Sequence, residues 1–281
     1  MKICYIVITS FLLSSCSGIN NSKKDGEDNY IKNEEIRADF QSIIDSAEVI
    51  GSILIYDTKE KIYYSNNFGW SNKGHLPAST FKIANSILAL ENNLVANDST
   101  ILKWDGKKKL YKSWEQDLIF RDAFHYSCVP CYQELARKLG EQKMNEYLSK
   151  LNYGNIIVDS TNIDNFWLEG ESRISQFQQI DFLNRFYNSY LPISNRTKEI
   201  MERMMVIEEN KDYKLSGKTG WSVTDDIDNG WFVGYVVSKS DSYLFATNIE
   251  PKPPLDVNRF IKIRKEITFE ALYMLDNNLA F

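Results

Sequence analysis

The chain has 281 residues, with 33 Lys and Arg against 38 Asp and Glu, a formal net charge of −5, and 43% hydrophobic residues. That length can bury a large core as one big domain or two lobes, and the composition is that of an ordinary globular protein. The acidic balance argues against nucleic acid as a partner, because no surplus of Lys and Arg exists to displace phosphate counterions. The one basic run, Lys107-Lys108-Lys109, reads as a solvated loop.

The first stretch, "MKICYIVITSFLLSSC", has an early Lys, an apolar run from Ile3 to Leu13 and small residues before Cys16. It is a secretory signal, too short for a spanning helix of about 20 residues. Its Leu13-Ser14-Ser15-Cys16 ending resembles a bacterial lipobox, which implies cleavage before Cys16 and lipid on its thiol. The polar residues that follow read as a flexible tether. The expected organisation is therefore a signal peptide at 1–15, a lipidated Cys and tether at 16–35, and a folded domain at 36–281.

Next, "GSILIYDTKEKIYYS" pairs two β-branched and aromatic runs across a polar turn and predicts a hairpin. "TFKIANSILALENN" has apolar residues at mostly helical spacing. "VPCYQELARKLG" predicts a helix with Pro130 in its first turn and Gly140 at its end. Further helices are predicted over "QKMNEYLSKL", "SQFQQIDFLNRFYNSYL" and "NRTKEIMERMMV". From about residue 212, "YKLSGKTGWS", "GWFVGYVVSKS" and "DSYLFATNIE" read as a strand meander, and "VNRFIKIRKEITFEALYML" as a closing amphipathic helix. The order implies an α+β fold: an antiparallel sheet flanked by helices, built from about 36–85 and 200–281, with a helical lobe inserted at about 86–199. A cleft between the two is the expected place for a ligand site.

"HYSCVPCYQEL" contains two interleaved pairs, Cys128/Cys131 and Ser127/Val129. In an exported protein the two cysteines are in a compartment that permits disulfides. A Cys-x-x-Cys at helical spacing is strained for bridging except at a helix N-terminus. Zinc would need two more ligands, and the only histidines are His75 and His125; no metal is expected.

In "PASTFK", Ser79 and Lys82 are three apart at a helix start, so their side chains share a face. A serine hydroxyl needs a base, and an amine serves once burial suppresses its charge. The helix N-terminus adds N–H donors where an oxyanion would form. In "SGKTGWS", Lys218 and Thr219 would present a cation and a hydroxyl to an anion, and Gly220 would let a substrate lie along the strand.

The order Ser-x-x-Lys, Ser127-x-Val129, Lys-Thr-Gly resembles that of the penicillin-recognising serine enzymes. The Ser-x-Val element resembles that of the class D β-lactamases, the oxacillinases. So do Tyr153-Gly154-Asn155, "NFWLEG" with Trp167 and Leu168, and "LKWDG" at 102–106. The resemblance runs from about residue 36 to the C-terminus. It implies the β-lactamase/transpeptidase-like fold, with Ser127 and Val129 as the working pair and the cysteines at variable positions, Cys131 packing as a small apolar residue.

The roles implied by the resemblance are these. Ser79 attacks the lactam carbonyl, and Lys82, carboxylated by carbon dioxide, acts as general base, with Trp167 holding the carbamate. Ser127 relays a proton to the departing nitrogen under the influence of Lys218. Phe81, Val129 and Leu168 supply apolar surroundings. The backbone N–H groups of Ser79 and Trp221 form the oxyanion hole, and Thr219 and Arg264 meet the substrate carboxylate, with Arg259 as competitor for the last role. No cofactor beyond the carbamate is implied, and the partner is a small-molecule β-lactam. The expectation is an exported, periplasmic lipoprotein of a Gram-negative bacterium, monomer or homodimer, touching the membrane only through its lipid. The alternative function is a non-turnover β-lactam sensor or penicillin-binding domain. Sensors of this fold sit behind membrane spans and a protease domain, which this sequence does not display. A Ser-His-Asp hydrolase using His75 or His125 is the remaining reading, disfavoured because Ser79 already has its Lys.

Overall fold

The computed structural model describes residues 33–252 and 256–281; the expected signal segment, Cys16 and most of the tether lie outside the described residues. Strand β1 (Asn33–Ile36) and helix α1 (Ala38–Ser46) precede the predicted hairpin of β2 (Val49–Asp57) and β3 (Ile62–Ser65). A short helix, α2 (Phe68–Asn72), leads to a 3-10 turn at Ala78–Phe81 that runs into α3 (Lys82–Glu91). A two-stranded ribbon of β4 (Ile101–Leu102) and β5 (Leu118–Ile119) follows, then α4 (Phe120–His125), α5 (Val129–Leu139), α6 (Glu141–Leu151), α7 (Gln176–Tyr187) and α8 (Asn195–Met204). The chain closes with β6 (Val206–Glu209), β7 (Tyr213–Thr224), β8 (Ile227–Ser238), β9 (Ser242–Pro251) and α9 (Val257–Leu275).

The first and last parts of the described residues meet in one seven-stranded sheet of order β1-β3-β2-β9-β8-β7-β6. Its seam is the antiparallel pairing of β2 with β9, in register from Val49↔Pro251 to Asp57↔Tyr243. The sheet is antiparallel as expected except at its edge, where β1 runs parallel to β3 and makes it mixed. That strand also begins at Asn33, inside the segment read as tether, because residues with little apolar content can still fill an exposed edge ladder. The helix predicted over "NRTKEIMERMMV" stops at Met204, since Val206 leaves it to pair with Ser216 of β7.

Period-two alternation divides the sheet residues between two cores. On one face Ile53, Ile55, Phe232, Val236 and Phe245 pack with Phe40 and Ile43 of α1 and Phe260, Ile263 and Ile267 of α9. On the other, Leu54, Trp231, Val233, Leu244 and Ala246 join the residues of the helical region in a single cluster. The helices are thus continuous with the sheet through shared packing. Helix α7 lies on that face, started by a capping box in which Ser175 Oγ accepts from Gln178 N and Gln178 Oε1 accepts from Ser175 N. Its buried Gln176 donates from Nε2 to the carbonyls of Ser52 and Ala246, tying helix to seam.

Candidate active site

Ser79 lies in the 3-10 turn that precedes α3. In such a turn residues three apart eclipse one another, and Lys82 Nζ donates to Ser79 Oγ at 3.0 Å. Trp167 fixes the approach to the turn, its carbonyl accepting from Ala78 N at 2.7 Å while Ala78 takes a left-handed φ of 51°. The turn packs against β7. A Cβ at Gly220 would lie 3.1 Å from Thr80 Cγ2 and 3.2 Å from Trp231 Cβ. This glycine therefore lets the strand close on the turn that bears Ser79, a packing reason that the triplet Lys-Thr-Gly does not reveal.

Lys82 is 1% exposed. Burial pulls its pKa from the ordinary lysine range to about 7, so the neutral amine is accessible near neutrality. The side chain lies over the Tyr132 ring, 5.1 Å from its centroid, and Tyr132 is held by a 2.7 Å hydrogen bond between its hydroxyl and Ser86 Oγ. Trp167 is fully buried and stacks on Phe81, with centroids 5.5 Å apart. Its indole Nε1 is a buried donor without an acceptor among the described residues.

A second Ser–Lys pair faces the first. Ser127 occupies the junction between α4 and α5 with φ of 51°, and Lys218 Nζ, from the middle of β7, donates to Ser127 Oγ at 2.5 Å. Lys218 also donates to its neighbour's carbonyl, Thr219 O, at 3.1 Å. Burial, then the charges of Lys82 and Arg264, hold its pKa well below the usual lysine value. Strand β6 pairs with β7 only as far as Ser216, so the β7 segment beyond it borders the cleft.

The cleft has a volume of about 530 Å³, and Ser79, Ser127, Val129, Leu168, Thr219, Gly220, Trp221 and Arg264 all line it. Trp221 is oriented by its indole, which donates to Asp228 Oδ1 across the β7–β8 hairpin at 2.5 Å. Of the two candidate arginines, Arg264 reaches the cleft. It is 7% exposed, donates to Gly220 O and Ile261 O, and burial lowers its pKa to about 10. Arg259 turns to the surface and pairs with Glu266 at 2.5 Å. Sequence reasoning missed the lips of the cleft: Leu110, Tyr111, Trp114 and Tyr126 on one side, Val223 and Ile261 on the other. The only available signal was the aromatic content of an otherwise polar loop. Trp114 is anchored by donating to Tyr126 O at 3.0 Å.

Neither histidine pairs with Ser79. His75 Nδ1 lies 3.1 Å from Asn229 Nδ2, and burial drops its pKa to about 4. Desolvation and Lys218 lower that of His125. The basic run is a solvated loop: Lys109 meets Asp105 at 2.7 Å, and Lys107 is exposed. The cysteines require a correction. Cys131 packs against the core as a small apolar residue, as expected, but not as a free thiol: it forms a disulfide with Cys128, over a Cα–Cα distance of 5.4 Å. Cys128 is the N-cap of α5, the one position at which the spacing permits bridging.

The sequence and the fold have known relatives. The profile of the penicillin binding protein transpeptidase domain matches residues 49–272. Beta-lactamase OXA-48 of Klebsiella pneumoniae is 36% identical over 222 residues, 79% of this chain and 82% of that protein. The structure of the class D beta-lactamase YbXI from Nostoc superposes with a TM-score of 0.81 at 40% identity, covering 86% of this chain and 99% of that one. Regulatory protein BlaR1 of Bacillus licheniformis is 31% identical over 213 residues, 75% of this chain but 35% of that protein. Fold and motif order define a penicillin-recognising serine enzyme. Within that class, the chain belongs to the class D, oxacillinase-type, serine β-lactamases.

Proposed function

We propose that the chain hydrolyses the lactam amide of penicillin-type antibiotics through an acyl-enzyme on Ser79, with carboxylated Lys82 as general base. Two observations carry this reading: Lys82 is buried and readily neutral, and the indole Nε1 of Trp167, which stacks on the neighbouring Phe81, has no acceptor among the described residues. A carbamate forms only on a neutral amine, and its oxygens need donors in a dry site. Both conditions suit these residues, so the group fits here: bound on Lys82 and held by Trp167, it supplies the general base for acylation and deacylation.

The remaining steps belong to the chain's own side chains. Ser79 Oγ attacks the carbonyl carbon, and the N–H groups of Ser79 and Trp221 donate to the developing oxyanion. As the C–N bond breaks, Ser127 gives its proton to the lactam nitrogen, and Lys218 Nζ, hydrogen-bonded to Ser127 Oγ, biases that hydroxyl. Thr219 and Arg264 bind the substrate carboxylate, while Val129 and Leu168 exclude water around the base.

The N-terminal pattern supports export to the periplasm and a lipid anchor on Cys16, a location in which turnover would confer β-lactam resistance. Loss of labelled-lipid incorporation in Cys16→Ser tests the anchor; unchanged incorporation refutes it. The similarity to BlaR1 supports a second reading, a β-lactam sensor that acylates without turnover. Mass spectrometry with benzylpenicillin separates the two. Enzyme predicts a transient adduct and hydrolysed product in large excess over protein. A stoichiometric adduct that persists, with no excess product, overturns hydrolysis in favour of the sensor.

A further inference from the structure

The disulfide lies beside the catalytic cleft yet has no part in the chemistry above. Cys128 is fully buried and follows Ser127 directly; Cys131 is partly exposed and borders a separate groove of about 330 Å³ with Pro130 and Arg137. A bridge with a sequence separation of 3 closes a very small loop, so it restrains the unfolded chain little compared with a long-range bridge. Its effect falls on local geometry, and the local geometry here is unusual. Ser127 is a non-glycine residue at φ 51°, a conformation that L-residues adopt only when their surroundings hold them.

Backbone bonds hold the segment on its N-terminal side: Ser127 N donates to Phe124 O at 3.2 Å and Cys128 N to Ala123 O at 2.9 Å. On the other side Tyr132 N donates to Cys128 O at 3.3 Å, and the bridge adds a covalent restraint. Cys128 Sγ accepts from Cys131 N at 3.3 Å and is bonded to Cys131 Sγ, which joins the residue after Ser127 to the first turn of α5.

From this we infer that the Cys128–Cys131 disulfide positions Ser127, keeping its hydroxyl on Lys218 and aimed into the cleft, and that a small thiol reaching Cys131 from the outer groove releases it. The assignment rests on the proton-relay reading of Ser127. A thiolate attacks Cys131 Sγ, forming a mixed disulfide and expelling Cys128 as thiolate. A second thiolate of the reductant then attacks the mixed disulfide, leaving oxidised reductant and, after protonation by solvent, two cysteine thiols.

Because Ser127 faces the leaving nitrogen and Lys82 faces Ser79, loosening Ser127 slows acylation and spares deacylation. A bridge that merely stabilises the fold would shift neither rate constant per folded active site. The test uses the full chain with a chromogenic β-lactam, separating acylation from deacylation by pre-steady-state kinetics, before and after dithiothreitol. Alkylation and peptide mapping at Cys128 and Cys131 report the redox state. Reduction is expected to lower the acylation rate constant roughly fivefold, leave deacylation within about twofold, and reverse on reoxidation. Cys128→Ala/Cys131→Ala is expected to show the same slow acylation and no response to dithiothreitol. Acylation at the oxidised rate in fully alkylated protein or in the double variant overturns the inference, as does an equal fall in both rate constants. Resistance of the bridge to dithiothreitol in the folded protein overturns release through the groove, and the double variant then decides positioning alone. If the oxidised protein forms no acyl-enzyme, the functional reading fails instead.

Discussion

Two Ser–Lys pairs face the same cleft, and they are built in opposite ways. Ser79 and Lys82 belong to a single turn, so the backbone alone sets their 3.0 Å contact, and tertiary packing contributes the burial that neutralises the amine. Ser127 and Lys218 are 91 residues apart, one on a strained helix junction and the other on a strand, and meet at 2.5 Å only after the sheet closes. The first pair is a local motif given chemical meaning by its environment. The second is a product of the fold, and its geometry depends on every restraint acting on the α4–α5 junction and on β7.

The largest effect distinguishes the pairs outright. Ser79→Ala is expected to abolish acylation, a loss beyond about 10⁴-fold in kcat/KM, or over about 5 kcal/mol, because no other cleft hydroxyl has a buried base in the same turn. Intact-protein mass spectrometry checks this; an adduct retained by the variant would place the nucleophile elsewhere.

The next effect isolates the environment of the local pair. With the Lys82 pKa at about 7, the neutral amine prevails above that pH and the ammonium below it. Activity is therefore expected to fall as pH drops through about 7, and the loss in degassed acidic buffer to be recovered with bicarbonate at neutral pH. Trp167→Ala, which removes the indole donor and admits water, should cost roughly 10- to 100-fold and deepen the bicarbonate dependence, with deacylation suffering at least as much as acylation. Turnover that ignores bicarbonate in both proteins would eliminate the carbamate mechanism.

An effect of comparable size belongs to the long-range pair. Ser127→Ala leaves Ser79 and Lys82 intact and removes a proton relay, so a loss of about 10- to 100-fold is expected, concentrated in acylation. Single-turnover kinetics measures it. A loss as large as that of Ser79→Ala, or one confined to deacylation, would erase the proposed division of labour.

Several features were legible because they are written in local chemistry. The helices at 129–139, 141–151 and 257–275 follow from apolar spacing and end signals such as Pro130 and Gly140. The meander from Tyr213 to Pro251 follows from its β-branched and aromatic runs. Helix α1, the edge strands β1 and β6 and the cleft lips were not legible. Short or exposed elements carry weak periodicity and are stabilised by the neighbour they pair with, as Val206 is by Ser216. Even in the site, motif order named the residues while their reasons came from packing: Gly220 makes room for Thr80, and Trp221 is aimed by Asp228.

By itself the sequence determined the turn that joins Ser79 to Lys82, the period-two strands that sort residues onto two faces, and the motif order that identifies the family. Each depends on chain geometry over a few residues, or on matches that survive without coordinates. Only the tertiary structure decided which arginine reaches the cleft, since Arg264 and Arg259 differ in burial and partners and hardly at all in local sequence. It also decided that the pKa of Lys82 falls to about 7, because the burial that lowers it depends on packing against residues such as Tyr132, 50 positions away in the chain. The bridging of Cys128 to Cys131 was decided the same way: the spacing permits either a helix interior or a helix start, and the junction that holds Ser127 places Cys128 at the start of α5.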